Sequence, residues 1–341
     1  MRIRSIFQLL SCLLVFFCVS SAEAQTTSPF DDGNTQIPKL GTTNSGNVAL
    51  APVAPEEKIG QAAATYWMRS DMGSKTGQVF CVTQDKVNIR KGPGTDFAIV
   101  RATTFGNLFP VIGEQGGWYQ IALSGLDSVL PKSSPEEIEE SQRQFLASYK
   151  TYTQYALTVG KADPKSKTAL AKFRGDYAAY KISVRNSVSL QNIRAGTLKV
   201  DKVVVSKANF TATVYADNKI VRVYPLAYGS NMDALSKKAK GDCRTPEGNF
   251  KITGKAKNPE YHVPETGQVI PGGVPNNPFG TRFMGLNTWG GSIGMHGTSN
   301  PSSIGTRASH GCMRMFTPDA EELFDLVRVG TPVTILPVSA G

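Results

Sequence analysis

The segment Met295–Met315 reads MHGTSNPSSIGTRASHGCMRM and holds two of the chain's three histidines, His296 and His310. Cys312 follows the second histidine by two residues. A cysteine attacks as its thiolate, and a neighbouring imidazole is the natural base for the thiol proton near neutral pH. The segment therefore predicts a cysteine acyl-transfer site in which a histidine keeps the sulfur ionised.

Glycines flank the reactive side chains: Gly297 follows His296, and Gly311 precedes Cys312. Because glycine has no Cβ, it permits a tight turn and lets a substrate approach the backbone closely. The polar segment Thr298–Arg307 separates the histidine from the cysteine. This spacing is typical of two neighbouring strands joined by a loop.

The same segment carries a family resemblance. His296-Gly297-Thr298 and Ser309-His310-Gly311-Cys312-Met313-Arg314 resemble the signature of L,D-transpeptidase catalytic domains of the YkuD type. Two upstream blocks extend the resemblance in order, Gly241-Asp242-Cys243-Arg244-Thr245-Pro246-Glu247-Gly248-Asn249-Phe250 and Asn277-Pro278-Phe279-Gly280-Thr281-Arg282-Phe283. Several separated blocks are more specific than one short motif. The resemblance spans roughly Leu198–Pro337.

The resemblance implies that Cys312 is the nucleophile and His296 the general base, with a backbone carbonyl, that of Gly297, orienting the ring. It places His310 beside the nucleophile, where its backbone shapes the turn and its ring helps to hold the thiolate. It also implies acylation by penem-type β-lactams and a reaction that needs no metal or other cofactor.

Further site residues follow from the same turn. The backbone amides of Gly311 and Cys312 are candidates for an oxyanion hole. Thr298, Ser309 and Arg314 are candidate substrate-binding residues. The planar guanidinium of Arg314 suits a carboxylate, although it would equally brace the loop through backbone carbonyls.

A zinc site is the rival interpretation, because zinc accepts histidine and cysteine ligands. The chain has no His-Glu-x-x-His motif, and the segment has no acidic residue at ligand spacing. We therefore expect no metal. No phosphate-binding glycine loop or nucleic-acid module is recognisable, so neither partner class is expected.

The N-terminus has the pattern of a secretory signal peptide over residues 1–24. Arg2 and Arg4 precede the apolar run Ile6–Val19, and Ala22-Glu23-Ala24 is a cleavage site. No later apolar run is long enough to span a bilayer, so we expect no transmembrane segment after cleavage. We expect an exported protein of the periplasm or cell wall.

The formal net charge of the chain is +10, which becomes +9 once Arg2, Arg4 and Glu23 leave with the signal peptide. A basic exported protein suits an anionic partner such as a wall polymer or a membrane surface. No dense lysine and arginine tract is present, so a charge that serves only solubility stays open.

Cys81, Cys243 and Cys312 remain after signal cleavage. In an oxidising compartment an odd count is typical of one pair and one reactive thiol. Cys81 and Cys243 could bridge two domains, and two buried free thiols are the equal alternative.

Residues 25–76 are predicted to be a flexible linker, with a short helix considered over Pro55–Arg69. Residues 77–130 form short β-rich runs punctuated by glycine and proline, which predicts a small β-barrel. Val87–Thr95 and Gly117-Trp118-Tyr119 resemble bacterial SH3-like domains. Trp118 and Tyr119 are a candidate stacking platform for wall polymer, and one of them belonging to the barrel core is the alternative.

Residues 131–197 predict an antiparallel helical hairpin and a connector. Ser134-Pro135-Glu136-Glu137 is a capping box that opens the first helix, and Asp163-Pro164 opens the second. Tyrosine-rich stripes predict that the two helices pack on each other.

Residues 198–338 are the predicted catalytic domain. It is β-rich, with a glycine- and proline-rich lid over Ile252–Asn287 and a final helix that Thr317-Pro318-Asp319 caps. The fold class is therefore mainly β with α additions.

The predicted function is a peptidoglycan L,D-transpeptidase that forms a Cys312 thioester with a stem peptide and transfers it to an amine. Hydrolysis of the same bond, as in an L,D-carboxypeptidase or endopeptidase, and a non-catalytic wall-binding protein are the alternatives. The acceptor and the oligomeric state are left open by the sequence.

Overall fold

The computed structural model describes residues 65–231, 236–239, 241–263, 266–288 and 293–338. The predicted signal peptide and the predicted linker up to residue 64 lie outside the described residues. Across the described ranges, no helix is both long and apolar enough to cross a membrane.

The first unit is a seven-stranded antiparallel sheet in the order β2-β3-β6-β7-β1-β4-β5. Its core consists of side chains that alternate inward from these strands, among them Phe80, Ile89 and Ile121, all fully buried. The strands are β1 (Thr65–Arg69), β2 (Gly73–Thr76), β3 (Val79–Val82), β4 (Val87–Arg90), β5 (Ile99–Thr103), β6 (Leu108–Gln115) and β7 (Trp118–Ala122).

Two expectations about the start of this unit are wrong. The helix considered over Pro55–Arg69 is, where described, the strand β1, which pairs with both β7 and β4. Residues 65–76, expected to be linker, contribute two strands to the sheet. Met68 explains the first change: it is fully buried in the sheet core, so tertiary pairing overrides a weak helical pattern.

Trp118 and Tyr119 have different environments. Tyr119 packs against Phe80 with ring centroids 5.3 Å apart, as the core alternative predicted for one of the two. Trp118 lines an open pocket of about 560 Å³ together with Arg69 and Asp96.

Four helices follow: α1 (Leu126–Val129), α2 (Pro135–Thr158), α3 (Pro164–Arg185) and α4 (Val188–Arg194). The predicted capping box at the start of α2 is confirmed, since Ser134 and Glu137 exchange side-chain and backbone hydrogen bonds. The side chain of Asp163 caps α3. Pairs such as Phe145 with Tyr180 and Tyr149 with Phe173 show that α2 and α3 are antiparallel.

The tyrosine stripes do more than join the two helices. The Tyr149 hydroxyl group donates to the carbonyl oxygens of Phe210 and Leu226, and the Tyr177 hydroxyl group donates to Asp319 at 2.8 Å. Lys181 also pairs with Asp319. The hairpin is therefore attached to the second sheet through buried polar contacts as well as ring packing, which the prediction of helix-to-helix packing alone missed.

The second sheet has nine strands in the order β16-β10-β17-β15-β14-β11-β18-β8-β9. The eleven-residue β10 pairs with β9 over its first part and with β17 over its second, so the sheet closes on itself like a barrel. The strands are β8 (Lys202–Ser206), β9 (Thr211–Ala216), β10 (Lys219–Gly229), β11 (Gly248–Lys257), β14 (Arg282–Leu286), β15 (Gly294–His296), β16 (Arg307–Ser309), β17 (Met313–Met315) and β18 (Pro332–Leu336). A separate pair, β12 (Tyr261–His262) and β13 (Val269–Ile270), lies in the connection before β14.

The predicted lid is shorter than expected. The segment Ile252–Asn287 begins inside β11 and ends just beyond β14, two adjacent strands of this sheet. Ile252 and Met284 are almost fully buried, so burial in the barrel selects a strand conformation despite the nearby glycines. Only the connection between these strands, which carries the β12–β13 pair, is available to cover a site.

The last helix, α5 (Thr317–Leu326), contains Asp319 and Glu322, which bind hairpin residues. Thr317 does not cap it, because no side-chain capping bond is present at this helix start. Phe316 packs against Phe105, in the turn between β5 and β6 of the first sheet, at 4.3 Å between ring centroids. The segment immediately after β17 therefore contacts both the hairpin and the SH3-like sheet.

Candidate active site

His296 and Arg314 lie on two parallel neighbouring strands, and Cys312 lies in the turn just before the second of them. Met295 lies opposite Met313, and His296 lies opposite Arg314, in the β15–β17 pair. Since side chains alternate along a strand, the buried methionines point to the core, while His296 and Arg314 share the other face. The expectation of neighbouring strands therefore holds for His296, whereas Cys312 immediately precedes its strand, β17.

His296 is held in one orientation and one tautomer. Its ring is 3% exposed, and its Nδ1 lies 2.5 Å from the carbonyl oxygen of Gly297. A carbonyl oxygen only accepts, so Nδ1 carries the proton and Nε2 has the free lone pair that a base needs. Phe279 and Phe283 hold the ring, with centroids 4.9 Å and 5.8 Å from it.

Burial sets the resting charge of the pair. Burial lowers the pKa of His296 to about 4, against a smaller opposing effect of the Gly297 hydrogen bond. Burial also raises the pKa of the Cys312 thiol, although hydrogen bonding with the Gly294 backbone and the charge of Arg314 act in the other direction. Both shifts favour a neutral imidazole and a neutral thiol at neutral pH, in contrast to the standing thiolate that the sequence predicts.

This resting state predicts a distinctive pH dependence for alkylation of Cys312 by iodoacetamide. Only the thiolate reacts, so the rate should rise about tenfold per pH unit from pH 6 upward and level off only above the range of an ordinary thiol. Peptide mass analysis separates Cys312 from the other cysteines. A flat rate between pH 5 and pH 8, the signature of an imidazolium–thiolate pair, would contradict the assignment.

Ser309 organises the turn before the nucleophile. Its Oγ accepts from the Gly311 N–H at 3.0 Å and donates to the Cys312 carbonyl oxygen at 2.6 Å. Gly311 has φ of 134°, and an added Cβ would lie 2.7 Å from the Arg244 carbonyl oxygen. Only glycine fits this position.

This turn changes the expected roles of two residues. The Gly311 N–H, expected in the oxyanion hole, already donates to Ser309. Ser309, expected to bind substrate, is 3% exposed, and its hydroxyl group donates a hydrogen bond within the turn. The physical reason is that the buried polar groups of a tight turn must form hydrogen bonds with each other. Of the two backbone amides predicted for the oxyanion hole, that of Cys312 remains the candidate.

Thr245 attaches the same turn to β10. Its hydroxyl group donates to the Gly311 carbonyl oxygen at 2.7 Å and accepts from the Gly229 N–H at 2.9 Å. A Cβ on Gly229 would lie 2.4 Å from the Cys243 carbonyl oxygen. The segment Cys243–Thr245 is therefore wedged between β10 and the nucleophile turn.

The loop after the base is also tied down. Thr298 is 7% exposed, and its hydroxyl group accepts from the Asn300 N–H at 3.0 Å, while its carbonyl oxygen accepts from Thr317 at 3.2 Å. The hydroxyl and carbonyl groups of Thr298 thus stabilise the loop, and this competes with its expected role in substrate binding. Gly297 lies against Phe279 and Gly280, so the loop and the Asn277–Phe283 block pack together.

His310 and Arg314 differ in exposure. The His310 ring is exposed, and within the described residues its side chain has no hydrogen bond. Arg314 is partly buried on the face of Cys312 and His296, and its charge stabilises the thiolate form of Cys312. Arg314 therefore has the stronger structural connection to the reactive sulfur.

All three cysteines among the described residues are free. Cys81 is fully buried, and burial raises its pKa to about 12, so it is inert. Cys243 lies partly exposed in the loop beside the nucleophile turn. The disulfide considered between Cys81 and Cys243 is therefore absent, and both residues are free thiols.

Several residues that build the site escaped sequence reasoning. Phe279, Phe283 and Thr245 lie in the upstream blocks of the resemblance but had no assigned contact with the base or the turn. Lys161 and Lys237 carried no motif. Over the described ranges, no cluster of three or more histidine, cysteine, aspartate or glutamate side chains could hold a metal ion.

Comparisons with known proteins agree with this geometry. The L,D-transpeptidase catalytic domain family matches residues 201–335, and the bacterial SH3 domain family matches residues 85–128. A solved complex of the L,D-transpeptidase LdtMt1 with imipenem aligns over 41% of this chain and 59% of that chain, at 22% identity and a TM-score of 0.31.

Two curated Bacillus proteins are similar over the second sheet. YqjB of Bacillus subtilis, whose name assigns it to the L,D-transpeptidases, is 39% identical over 136 residues, which are 39% of this chain and 69% of that protein. YkuD of Bacillus licheniformis, with the same assignment, is 32% identical over 156 residues, covering 46% of this chain and 78% of that protein. With this coverage and the site geometry above, the chain belongs to the L,D-transpeptidase family and carries a bacterial SH3 domain ahead of its YkuD-type catalytic domain.

Proposed function

We propose that the protein is a cysteine acyltransferase that forms a thioester between Cys312 and a peptidoglycan stem peptide and transfers it to an amine. The observation that carries the proposal is a buried His296, oriented by the Gly297 carbonyl oxygen, on the strand parallel to β17, which Cys312 immediately precedes. A buried base whose ring is fixed through Nδ1 is ready to accept a proton at Nε2.

In the acylation step, Nε2 of His296 takes the thiol proton while the sulfur of Cys312 attacks the amide carbon of the stem peptide. The attack converts the carbonyl oxygen to an oxyanion, and the Cys312 backbone N–H is the proposed donor that stabilises it. Collapse of the tetrahedral intermediate breaks the C–N bond. The imidazolium of His296 returns its proton to the departing amine, and a thioester remains.

Transfer reverses these proton movements. The amine of a second stem peptide gives its proton to Nε2 of His296 as its nitrogen attacks the thioester carbon. The sulfur of Cys312 leaves and takes the proton back, which restores the neutral pair. Because burial keeps the pKa of His296 near 4, the imidazolium persists only while negative charge is close by, so proton return to either leaving group is favourable.

The substrate follows from charge and from the family. Arg314 lies on the reactive face and supplies a planar fork that suits a carboxylate, a group that stem peptides carry. We further propose export to the compartment that contains the wall, with residues 1–24 as the signal. Penem-type β-lactams, which combine a strained amide with a carboxylate, should acylate Cys312 in the same way.

Incubation with purified sacculi tests the proposal. The wild-type protein should produce new cross-linked dimers on muropeptide separation, and a Cys312→Ala variant should produce none. Loss of the terminal residue without dimers would show a hydrolase instead. Sedimentation of both proteins with sacculi and no product from either would show a wall-binding protein.

A further inference from the structure

The tip of the helical hairpin contacts the loop that joins the base to the nucleophile. The Lys161 Nζ, just after the end of α2, donates to the carbonyl oxygen of Ser302 at 3.1 Å. Gly305 of the same loop lies so close to α2 that an added Cβ would be 3.0 Å from the Tyr152 ring. The loop that follows His296 is therefore packed on a part of the chain that lies outside the matched catalytic domain.

Backbone contacts place this loop beside the strand that carries Arg314. The Gly305 N–H donates to the Leu226 carbonyl oxygen at 3.0 Å, and β10 pairs with β17 at Leu226–Met315 and Ala227–Arg314. In agreement with this placement, the pKa of Lys161 is lowered by burial and further by the positive charge of Arg314. The pKa of Arg314 is itself lowered by burial, and the groups among the described residues that raise it, Cys312 and Tyr261, include no carboxylate.

Among the described residues, no acidic side chain shifts the pKa of Lys161 or of Arg314. The charged groups that shift the pKa values of His296 and Cys312 are Arg314 and Lys237, both positive. Lys237 is already paired with Asp242 at 2.8 Å, whereas the Lys161 side chain donates to the neutral Ser302 carbonyl oxygen. Two cations held near each other without an acid are stabilised by an anion that binds between them.

We propose that Lys161 and Arg314 together bind a carboxylate of the peptide substrate, so that the helical hairpin supplies a specificity-determining residue to the active site. The inference rests on the proposed function and deepens it. The guanidinium offers a planar pair of donors and the ammonium a point charge, a combination that recognises a carboxylate from two sides. The carboxylate belongs either to the donor peptide or to the acceptor.

The hairpin is rigid enough to hold Lys161 in place. Tyr149 donates to two carbonyl oxygens of the catalytic sheet, and Tyr177 and Lys181 both contact the buried Asp319. Removing one partner of such a buried polar contact is costly, so the hairpin does not swing freely. The position of Lys161 relative to the site is therefore a property of the folded protein.

A pair of alkylating reagents, one anionic and one neutral, measures the electrostatic potential at Cys312 without any peptide substrate. Iodoacetate is an anion and iodoacetamide is neutral, and both lose iodide to the same sulfur. In a Lys161→Glu variant the ratio of the iodoacetate rate to the iodoacetamide rate should fall about fivefold, with a smaller fall in Lys161→Gln. Any change in the pKa of Cys312 affects both reagents equally and cancels in the ratio.

Lys167→Glu is the matched control, because Lys167 is an exposed lysine on α3 of the same hairpin. The ratio should be unchanged in this variant, and thermal unfolding should be unchanged in all three. An unaltered ratio in Lys161→Glu, or an equal fall in Lys167→Glu, would overturn the proposal. Peptide mass analysis assigns the adduct to Cys312 rather than Cys243.

Peptide substrates then identify the source of the carboxylate. If the donor supplies it, Lys161→Gln should slow thioester formation with a free-acid donor about fivefold and leave an amidated donor unaffected. If the acceptor supplies it, the same selective loss should appear only in the transfer step. Equal losses with free-acid and amidated peptides in both steps would mean that Lys161 has a purely structural role, and would refute the proposal. A protein that is inactive on all peptides would refute the proposed function. In that case the ratio of the two alkylation rates still tests the role of Lys161.

Discussion

Replacing Cys312 with alanine is expected to lower kcat/KM for acyl transfer by about 10⁴-fold or more, because no thioester can form without the nucleophile. The other described thiols cannot substitute for it. Cys81 is fully buried in a different part of the molecule, with its pKa raised to about 12. Cys243 lies in the neighbouring loop, where its thiol contacts the Gly241 carbonyl oxygen at 3.5 Å.

Mass spectrometry of the intact protein after incubation with a penem checks the same prediction. One covalent adduct should form on the wild type and none on Cys312→Ala. Cys243→Ser is the matched control, since it removes a nearby thiol and should keep both the adduct and the turnover. An adduct of equal yield on Cys312→Ala would contradict the assignment of the nucleophile.

Replacing His296 with alanine is expected to lower kcat/KM by about 10²- to 10⁴-fold, the usual effect of losing a general acid–base group. The loss should have two parts. The thiol would have no base beside it, and the departing amine would receive no proton. High pH can replace the first function but not the second.

Two assays separate these functions. At pH 9 to 10, the iodoacetamide rate of Cys312 in His296→Ala should approach that of the wild type, because hydroxide then ionises the thiol. Thioester formation with a peptide donor should stay slow at every pH, because amine departure still lacks its acid. Acyl transfer within about tenfold of the wild-type rate in this variant would show that His296 is not the acid–base group.

His296→Gln is the conservative companion variant. Its amide can still donate to the Gly297 carbonyl oxygen and fill part of the space between Phe279 and Phe283. It should therefore unfold at nearly the wild-type temperature while remaining as inactive as His296→Ala. That combination would show that the loss comes from proton transfer and not from collapse of the aromatic pocket.

Local patterns predicted the elements that depend on local physics. The capping box at Ser134 and the start of α3 at Asp163 depend on neighbours within a few residues. The strand Thr65–Arg69 was mistaken for helix because its conformation depends on β7, which lies about fifty residues later. The predicted lid, Ile252–Asn287, includes parts of β11 and β14, because these segments become strands only by pairing with each other.

The resemblance identified the reactive residues but not their state. The motif names Cys312, His296 and the Gly297 carbonyl oxygen, and the structure shows the hydrogen bond between the last two and places Cys312 directly before the strand that pairs with β15. Their resting protonation depends on burial by Phe279 and Phe283 and on the charge of Arg314, which no motif records. The use of the Gly311 N–H by Ser309 likewise emerges only once the turn is closed.

The sequence by itself determined the chemistry available to this protein: a thiol, an imidazole, their glycine neighbours and the β-rich domain that carries them. The tertiary structure alone decided the burial that shifts both pKa values toward the neutral pair, and the packing of the helical hairpin on the loop after His296. The physical reason is the distance in sequence over which each property is set. Reactivity is a property of a side chain and its immediate neighbours, whereas burial, like-charge proximity and shared hydrogen bonds arise from groups that are distant in sequence and adjacent only after folding.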